Sequence, residues 1–229
     1  MSGGCPKRIR FFHASHPIPG AIGLQGAKAI VKTAERANKN DLVLGIFSGG
    51  GSALMPLPAD GITLAQKMKT TKFLLKTPAT AHELNIVRKH LSKIKGGQLA
   101  CYAYPATVVA LYISDVIDDS FDIQASGPTT PDPSTFADAV HILKKYQIWD
   151  KVPGAVRQRF AAGIRGTVPE TPKNNHATFC HGKIHNVTIG NFHTAVKAAA
   201  GEAKKRGYHV LPLTSSLQGE AREAAKVLV

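Results

Sequence analysis

The stretch LVLGIFSGGGS at residues 42–52 decides the fold, because it joins an uninterrupted apolar run to a glycine-rich turn. The run at residues 42–47 has the length and composition of a strand buried in a parallel sheet. The turn follows where such a strand delivers the chain to the carboxyl edge of the sheet, the usual ligand edge of α/β proteins. The residues of this turn are Ser48, Gly49, Gly50, Gly51 and Ser52.

The chemistry of this turn favours anion binding. Three glycines permit positive φ and close approach of backbone N–H groups to a phosphate or carboxylate, and the serine hydroxyls add donors. The turn matches neither the dinucleotide-binding nor the P-loop fingerprint. An ordinary flexible turn is the alternative.

A second buried strand is predicted at residues 106–113, and Ser114 and Asp115 follow it directly. A carboxylate held at a strand end is suited to bind Mg²⁺ or to accept a hydroxyl proton during phosphoryl transfer. Asp115 is therefore a candidate catalytic residue and metal ligand. Turn formation is the alternative role for the acids that follow it.

Clustered cations mark the helix predicted at residues 80–93 and the segment after it. Helical spacing places Arg88, Ser92 and Lys95 on one face and Lys89 on an adjoining face. Arg offers a bidentate fork and Lys a point charge to a carboxylate or phosphate. We predict that these cations face the glycine turn, with plain surface charge as the alternative.

The composition is that of a basic globular protein. The chain has 229 residues, 43% of them hydrophobic, and a formal net charge of +14. Residues 61–100 hold eight Lys and Arg against the single acid Glu83, a net +7 that suits nucleic acid, a membrane surface or a small polyanion. No apolar run is long enough to span a membrane, and no signal peptide is evident, so we expect a cytoplasmic protein. The three cysteines, Cys5, Cys101 and Cys180, form no CxxC pair and are expected to be reduced thiols.

Helical and strand patterns alternate along the chain, which predicts an α/β fold with a parallel sheet. We expect a large domain at residues 1–170, a linker at 171–185 and the beginning of a smaller α/β domain at 186–229. The small domain is predicted to hold strands at 186–190 and 208–213 and helices at 194–206 and 216–229.

Six motifs occur in order along the chain, at residues 16–19 (HPIP), 48–58 (SGGGSALMPLP), 85–97, 114–116 (SDV), 126–129 (SGPT) and 132–139 (DPSTFADA). Together they resemble the glycerate 2-kinase family. The resemblance implies a Rossmann-like large domain followed by a smaller α/β domain, with the active site in the cleft between them. Members of that family phosphorylate D-glycerate at its 2-hydroxyl with ATP and a divalent metal.

The resemblance also implies roles for individual residues. Arg88 and Lys95 would act in catalysis, Asp115 would assist the hydroxyl or hold Mg²⁺, and the cofactors would be ATP and Mg²⁺. D-glycerate and ATP would be the small-molecule partners, without specific nucleic acid or membrane, and a homodimer is left open. The residues implied in substrate or phosphate binding are Ser48, Gly49, Gly50, Gly51, Ser52, Lys89, Ser126 and Gly127.

The chain departs from the family pattern in three respects. The family typically begins with a further strand, glycine turn and helix that bear a lysine, and its small domain continues past the position of Val229. Residues 117–119 (IDD) stand where a Pro-Gly-Asp-like turn is expected. We therefore expect an internal or truncated piece of a kinase, and leave open whether it turns over substrate alone. A basic nucleic-acid-binding module and a hydroxypyruvate reductase are the alternative functions.

Overall fold

The computed structural model describes residues 8–217, 219 and 221–228. The helices predicted at residues 80–93 and 194–206 are formed within a few residues of those bounds. Capping boxes begin three of the helices, with Thr63, Thr80 and Thr135 as the N-cap residues. The helices are α1 Ala21–Ala34, α2 Gly51–Leu54, α3 Leu64–Leu74, α4 Ala81–His90, α5 Gln98–Ala103, α6 Phe136–Lys145, α7 Gly154–Ile164, α8 Ala177–Cys180, α9 Phe192–Lys205 and α10 Ala221–Leu228.

Within the described residues, three parallel strands form one sheet in the order β1, β2, β3. They are β1 Leu42–Phe47, β2 Thr107–Ile113 and β3 Ile184–Gly190. Phe47 lies opposite Tyr112, so β1 and β2 end side by side. The α/β class and the parallel sheet predicted from the sequence are confirmed.

One face of the sheet is covered by α1 and α5. Ala27 and Val31 of α1 pack with Ala103 of α5 against Val43 and Val108 of the strands. The opposite face carries Leu42, Leu44 and Ile46, which are more than half exposed. The apolar composition of β1 predicts a strand that is buried on both faces. In the structure, the described residues cover only one of the two faces.

A second core lies among α3, α4, α6 and α7. It is built from the apolar faces of these helices around buried Leu74, Val87, Leu143 and Phe160. This core holds α4 rigidly beside the carboxyl edge of the sheet. The cations of α4 are thus carried on a packed helix rather than on a loop.

The strand β3 differs from the predicted domain division. Residues 186–190 were assigned to a small second domain, but β3 pairs with β2 over residues 108–113 in the same sheet as β1. The predicted boundary at residue 186 therefore falls inside a strand of the first sheet.

The strand predicted at residues 208–213 is not formed, and most of the side chains of this segment are exposed. The linker predicted at residues 171–185 contains the short helix α8. The N-cap of α6 is Thr135, and the nearby Asp132 is buried and accepts hydrogen bonds from Ser134.

Cys101 and Cys180 are free thiols as expected, and Cys5 lies outside the described residues. Gln218, Glu220 and Val229, in the helix predicted at 216–229, also lie outside them. No helix in the described part of the chain has the length and apolar character needed to cross a bilayer.

Candidate anion site at the carboxyl edge of the sheet

The glycine turn leaves the end of β1 and leads directly into α2. Gly50 is the N-cap of α2 and has φ +83°, a left-handed conformation that glycine adopts without steric cost. The backbone carbonyl of Gly50 accepts hydrogen bonds from the N–H groups of Ala53 and Leu54. The predicted position of residues 48–52 at the carboxyl edge of the sheet is confirmed.

Asp115 lies across this edge from the glycine turn. It follows β2 as the turn follows β1, and the two strands are neighbours in the sheet. A Cβ placed on Gly49 would stand 2.6 Å from Asp115 Oδ2. Among the described residues, no side chain or N–H group pairs with the Asp115 carboxylate, which remains free to bind a ligand. The structure thus brings together the two features that the sequence placed at strand ends.

Arg88 projects from α4 toward the same edge. Its side chain is partly buried. No described residue accepts a hydrogen bond from its guanidinium or forms an ion pair with it. Burial lowers the pKa of Arg88 from its ordinary value, but an arginine still keeps its charge at neutral pH. A partly desolvated cation without a counterion is a site for an anion.

Lys95 lies behind the turn and anchors a chain of hydrogen bonds. Its ammonium donates to Ser52 Oγ over 3.3 Å and to the carbonyl of Ala125 over 3.0 Å. Ser52 Oγ lies 2.7 Å from Ser126 Oγ, and Ser126 Oγ donates to Asn85 Oδ1 over 2.8 Å. The chain ties the turn to α4 and to the 124–126 segment, so these elements cannot shift independently.

The segment beside the turn carries backbone strain. Ala125 and Ser126 have φ of 50° and 63°, values that cost non-glycine residues about 1–3 kcal/mol each. Ser126 is fully buried in the hydrogen-bonded chain just described. Strain held in place by such a network is characteristic of ligand sites.

These groups surround a cavity of about 240 Å³. Its wall joins the glycine turn, α4, the ends of β1 and β2 and the 3₁₀ turn at Gln124–Ser126. A cavity of this size at the carboxyl edge of a parallel sheet is placed to bind a small anionic ligand. The polar residues that line it are Ser48, Ser52, Asn85, Arg88, Asp115 and Gln124.

Four of the residues that the sequence assigned to this site do not line the cavity: Lys89, Lys95, Ser126 and Gly127. Ser126 is buried in the chain of hydrogen bonds described above. Lys89 is buried, and its ammonium pairs with Asp122 over 3.1 Å and with Asp132 over 3.4 Å. Gly127 lies behind the wall, where its carbonyl accepts from the N–H of Gly97. Lys95 reaches the cavity only through Ser52. Lys89 is therefore an internal counterion for Asp122 and Asp132 and does not face the cavity.

Asn85 and Gln124 line the cavity but were not singled out from the sequence. Asn85 precedes Arg88 by three residues on α4, so helical spacing carried a signal for it. Gln124 begins a 3₁₀ turn in which the next residue, Ala125, has a left-handed conformation. No sequence pattern marks this turn.

Gly51→Ala is expected to destabilise the protein by about 1–3 kcal/mol, because the new Cβ would stand 2.9 Å from the Cβ of Ala125. Ala125→Gly removes that contact, so the double variant should recover the loss in urea unfolding. Gly154→Ala is the matched control, since nothing lies within 4 Å of its new methyl group. Equal unfolding midpoints for Gly51→Ala and Gly154→Ala would contradict the packing described.

Comparisons with known proteins place the chain among relatives of similar sequence and structure. Residues 2–161 match the family described as Domain of unknown function (DUF4147). A glycerate 2-kinase of Pyrococcus horikoshii is 44% identical over 95% of this chain and 48% of its own length. A protein of Agrobacterium vitis that is provisionally named hydroxypyruvate reductase is 41% identical over 96% of this chain and 48% of its own length.

The structural comparison agrees with these relatives. The crystal structure of a glycerate kinase from Thermotoga maritima matches 99% of this chain and 51% of its own length, with a TM-score of 0.82 and 37% identity. The chain thus spans about half the length of the relatives that it matches.

Proposed function

This chain belongs to the DUF4147 family and is similar to proteins named glycerate kinase, and we propose that it phosphorylates D-glycerate to 2-phosphoglycerate with ATP. The observation that carries the proposal is the guanidinium of Arg88, which has no partner among the described residues and lies in a cavity that also holds the glycine turn and Asp115. Phosphoryl transfer depends mainly on positioning and on neutralising charge, and this cavity offers groups for both.

The groups divide between anion binding and hydroxyl activation. The guanidinium of Arg88 and the backbone N–H groups of residues 48–52 suit the carboxylate of glycerate or a phosphate of ATP. The carboxylate of Asp115 is placed to accept the proton of the attacking hydroxyl. A Cβ placed on Gly49 would stand 2.6 Å from Asp115 Oδ2, so this acceptor lies beside the turn that is proposed to hold the anion.

Mg²⁺ fits this arrangement through Asp115. Within the described residues, no three His, Cys, Asp or Glu side chains are grouped closely enough to hold a metal ion on their own. Mg²⁺ is usually held by one or two carboxylates together with substrate phosphates, and Asp115 offers one unpaired carboxylate. When bound, the ion would neutralise charge on the transferred phosphate.

The structure favours this function over a nucleic-acid-binding module. Of the cations in residues 61–100, Lys67, Lys89 and Lys95 are buried and cannot reach a phosphodiester backbone. Electrostatic binding of nucleic acid requires cations that are exposed to the phosphates. The basic segment does not form a continuous stripe of such cations on the surface. One relative is named as a hydroxypyruvate reductase, which is the other alternative function. The glycine turn at residues 48–52, however, lacks the fingerprint of a dinucleotide-binding site.

The test is phosphoryl transfer from ATP to D-glycerate with Mg²⁺, with the product identified by ³¹P NMR. We expect 2-phosphoglycerate, and we expect Asp115→Asn to form it at least about a hundredfold more slowly while keeping its circular dichroism spectrum. Asp118→Asn, which alters an exposed acid of the same loop, should retain the rate. Equal rates for Asp115→Asn and wild type, or glycerate-dependent reduction of added NAD⁺ or NADP⁺ in place of phosphoryl transfer, would contradict the proposal.

A further inference from the structure

The hydrogen bonds behind the glycine turn run in one direction, which the backbone carbonyl of Ile123 sets. This carbonyl can only accept, so the group that lies 3.2 Å from it must be the amide nitrogen Nδ2 of Asn85. The other end of the same amide, Asn85 Oδ1, is an acceptor, and Ser126 Oγ donates its proton to it over 2.8 Å. The orientation of the Asn85 side chain therefore commits the proton of Ser126.

The same direction continues from Ser126 to Ser52. A serine hydroxyl has one proton and two lone pairs. Because Ser126 gives its proton to Asn85, it can only accept from Ser52, whose Oγ lies 2.7 Å from its own. Ser52 must therefore donate its proton inward, to Ser126, and has none left to donate to a ligand.

Lys95 occupies one of the two lone pairs of Ser52. It donates to Ser52 Oγ over 3.3 Å and to the carbonyl of Ala125 over 3.0 Å. Burial, with Lys67 and Arg88 nearby, lowers the pKa of Lys95 well below its ordinary value. The direction of these bonds does not depend on that charge, because a neutral amine still has two N–H groups for its two acceptors. One lone pair of Ser52 remains.

The remaining lone pair of Ser52 is available to a ligand. Ser52 is partly exposed and lines the cavity together with Arg88 and Asp115. Ser48 lines the same cavity, and in the part of the chain that the structure describes its hydroxyl has no hydrogen-bond partner. The two serines of the turn therefore differ, because Ser48 can donate to an anion whereas Ser52 can only accept.

We propose that Ser52 is a specificity-determining residue that accepts a hydrogen bond from the 3-hydroxyl of D-glycerate. Carboxylate and phosphate oxygens offer only lone pairs, so the ligand group that fits Ser52 is a hydroxyl. D-glycerate has two hydroxyls, and Asp115 is assigned to the 2-hydroxyl that reacts, which leaves the 3-hydroxyl. A site that pairs with a substrate hydroxyl rejects an analogue without it, because its own polar group is then left unpaired. The inference rests on the proposed function in taking D-glycerate as the ligand.

The test is isothermal titration calorimetry of the wild-type protein with three ligands: D-glycerate, D-lactate and the 3-fluoro analogue of D-lactate. D-lactate lacks the 3-hydroxyl, and the analogue carries in its place a fluorine, which cannot donate a hydrogen bond. Both should bind about tenfold or more weakly than D-glycerate. Equal affinities for D-glycerate and D-lactate would overturn the inference. Affinity of the fluoro analogue equal to that of D-glycerate would overturn it too, because Ser52 would then be a donor.

Ser52→Ala separates this role from a structural one. The variant should bind D-glycerate and D-lactate with affinities within about threefold of each other, whereas a merely structural loss would weaken both equally and keep the preference. Ser48→Ala, in the same turn, is the matched control and should keep the wild-type preference. A preference kept in Ser52→Ala, or lost in Ser48→Ala instead, overturns the inference. If Ser52→Ala does not fold, the three-ligand comparison on the wild type decides.

Comparison with Arg88→Met separates this inference from the proposed function. If Arg88→Met weakens D-glycerate binding but the wild type binds D-lactate as tightly as D-glycerate, the role of Ser52 is overturned and the anion site remains. If the wild type does not bind D-glycerate, or if Arg88→Met binds it normally, the anion site and this inference are both overturned.

Discussion

Arg88→Met is expected to lower the rate of D-glycerate phosphorylation by about a hundredfold or more, with weaker binding of D-glycerate. The guanidinium lies in the cavity wall and has no partner in the part of the chain that the structure describes, so its removal leaves a ligand anion without a fork of donors. The measurement is the steady-state rate with saturating ATP and varied D-glycerate, together with D-glycerate affinity by calorimetry.

The matched control is Lys76→Met, which removes an exposed cation of the same basic segment. Its rate should stay within about twofold of wild type, because exposed charges are screened by solvent and salt. Equal losses in the two variants would mean that the overall charge of the segment matters and that the position of Arg88 does not. That result would contradict the site described.

Lys89→Met is expected to lower the free energy of unfolding by about 3–5 kcal/mol, the usual cost of leaving a buried charge unpaired. Asp132 is fully buried, and its other partners, Ser134 and Thr171, are neutral donors. The measurement is urea unfolding at pH 7. The double variant Lys89→Met with Asp132→Asn should recover part of the loss, because it removes both charges.

Lys93→Met is the matched control for this prediction. Lys93 pairs with Asp60 over 2.9 Å, but both side chains are exposed, so the loss should be below about 1 kcal/mol. If Lys89→Met is as stable as Lys93→Met, then Lys89 is not an internal counterion, and its assignment to a ligand would be favoured again.

The sequence was sufficient to predict the edge of the sheet. β1 begins and ends where the apolar run does, and parallel neighbours bring the residues after each strand to one edge. The approach of the glycine turn to Asp115 followed from those two facts. No tertiary contact had to be known in advance.

The partners of the cations could not be predicted in the same way. Arg88 and Lys89 are adjacent on α4, but only Lys89 pairs with Asp132. Asp132 lies 43 residues further along the chain, so no local pattern predicts which of the two cations it pairs with. Lys95 was placed by helical spacing, but α4 ends at His90, so that spacing does not extend to it. Burial of Lys67 likewise depends on Leu57 and on the neighbouring helices.

Failures at the strand level have the same origin. Residues 208–213 have a strand-like composition, yet no described strand pairs with them. Strand propensity is expressed only where a neighbour supplies hydrogen bonds and packing. For β3, composition predicted the strand correctly but carried no information about the sheet that it joins.

The most direct test of this anion site is an NMR titration of the isotope-labelled protein with D-glycerate, followed at the backbone amides. Saturable shifts centred on residues 48–52 and Arg88 are expected, and they should be lost in Arg88→Met. Shifts centred elsewhere on the molecule, or unchanged binding in Arg88→Met, would contradict the claim that this edge of the sheet binds the substrate.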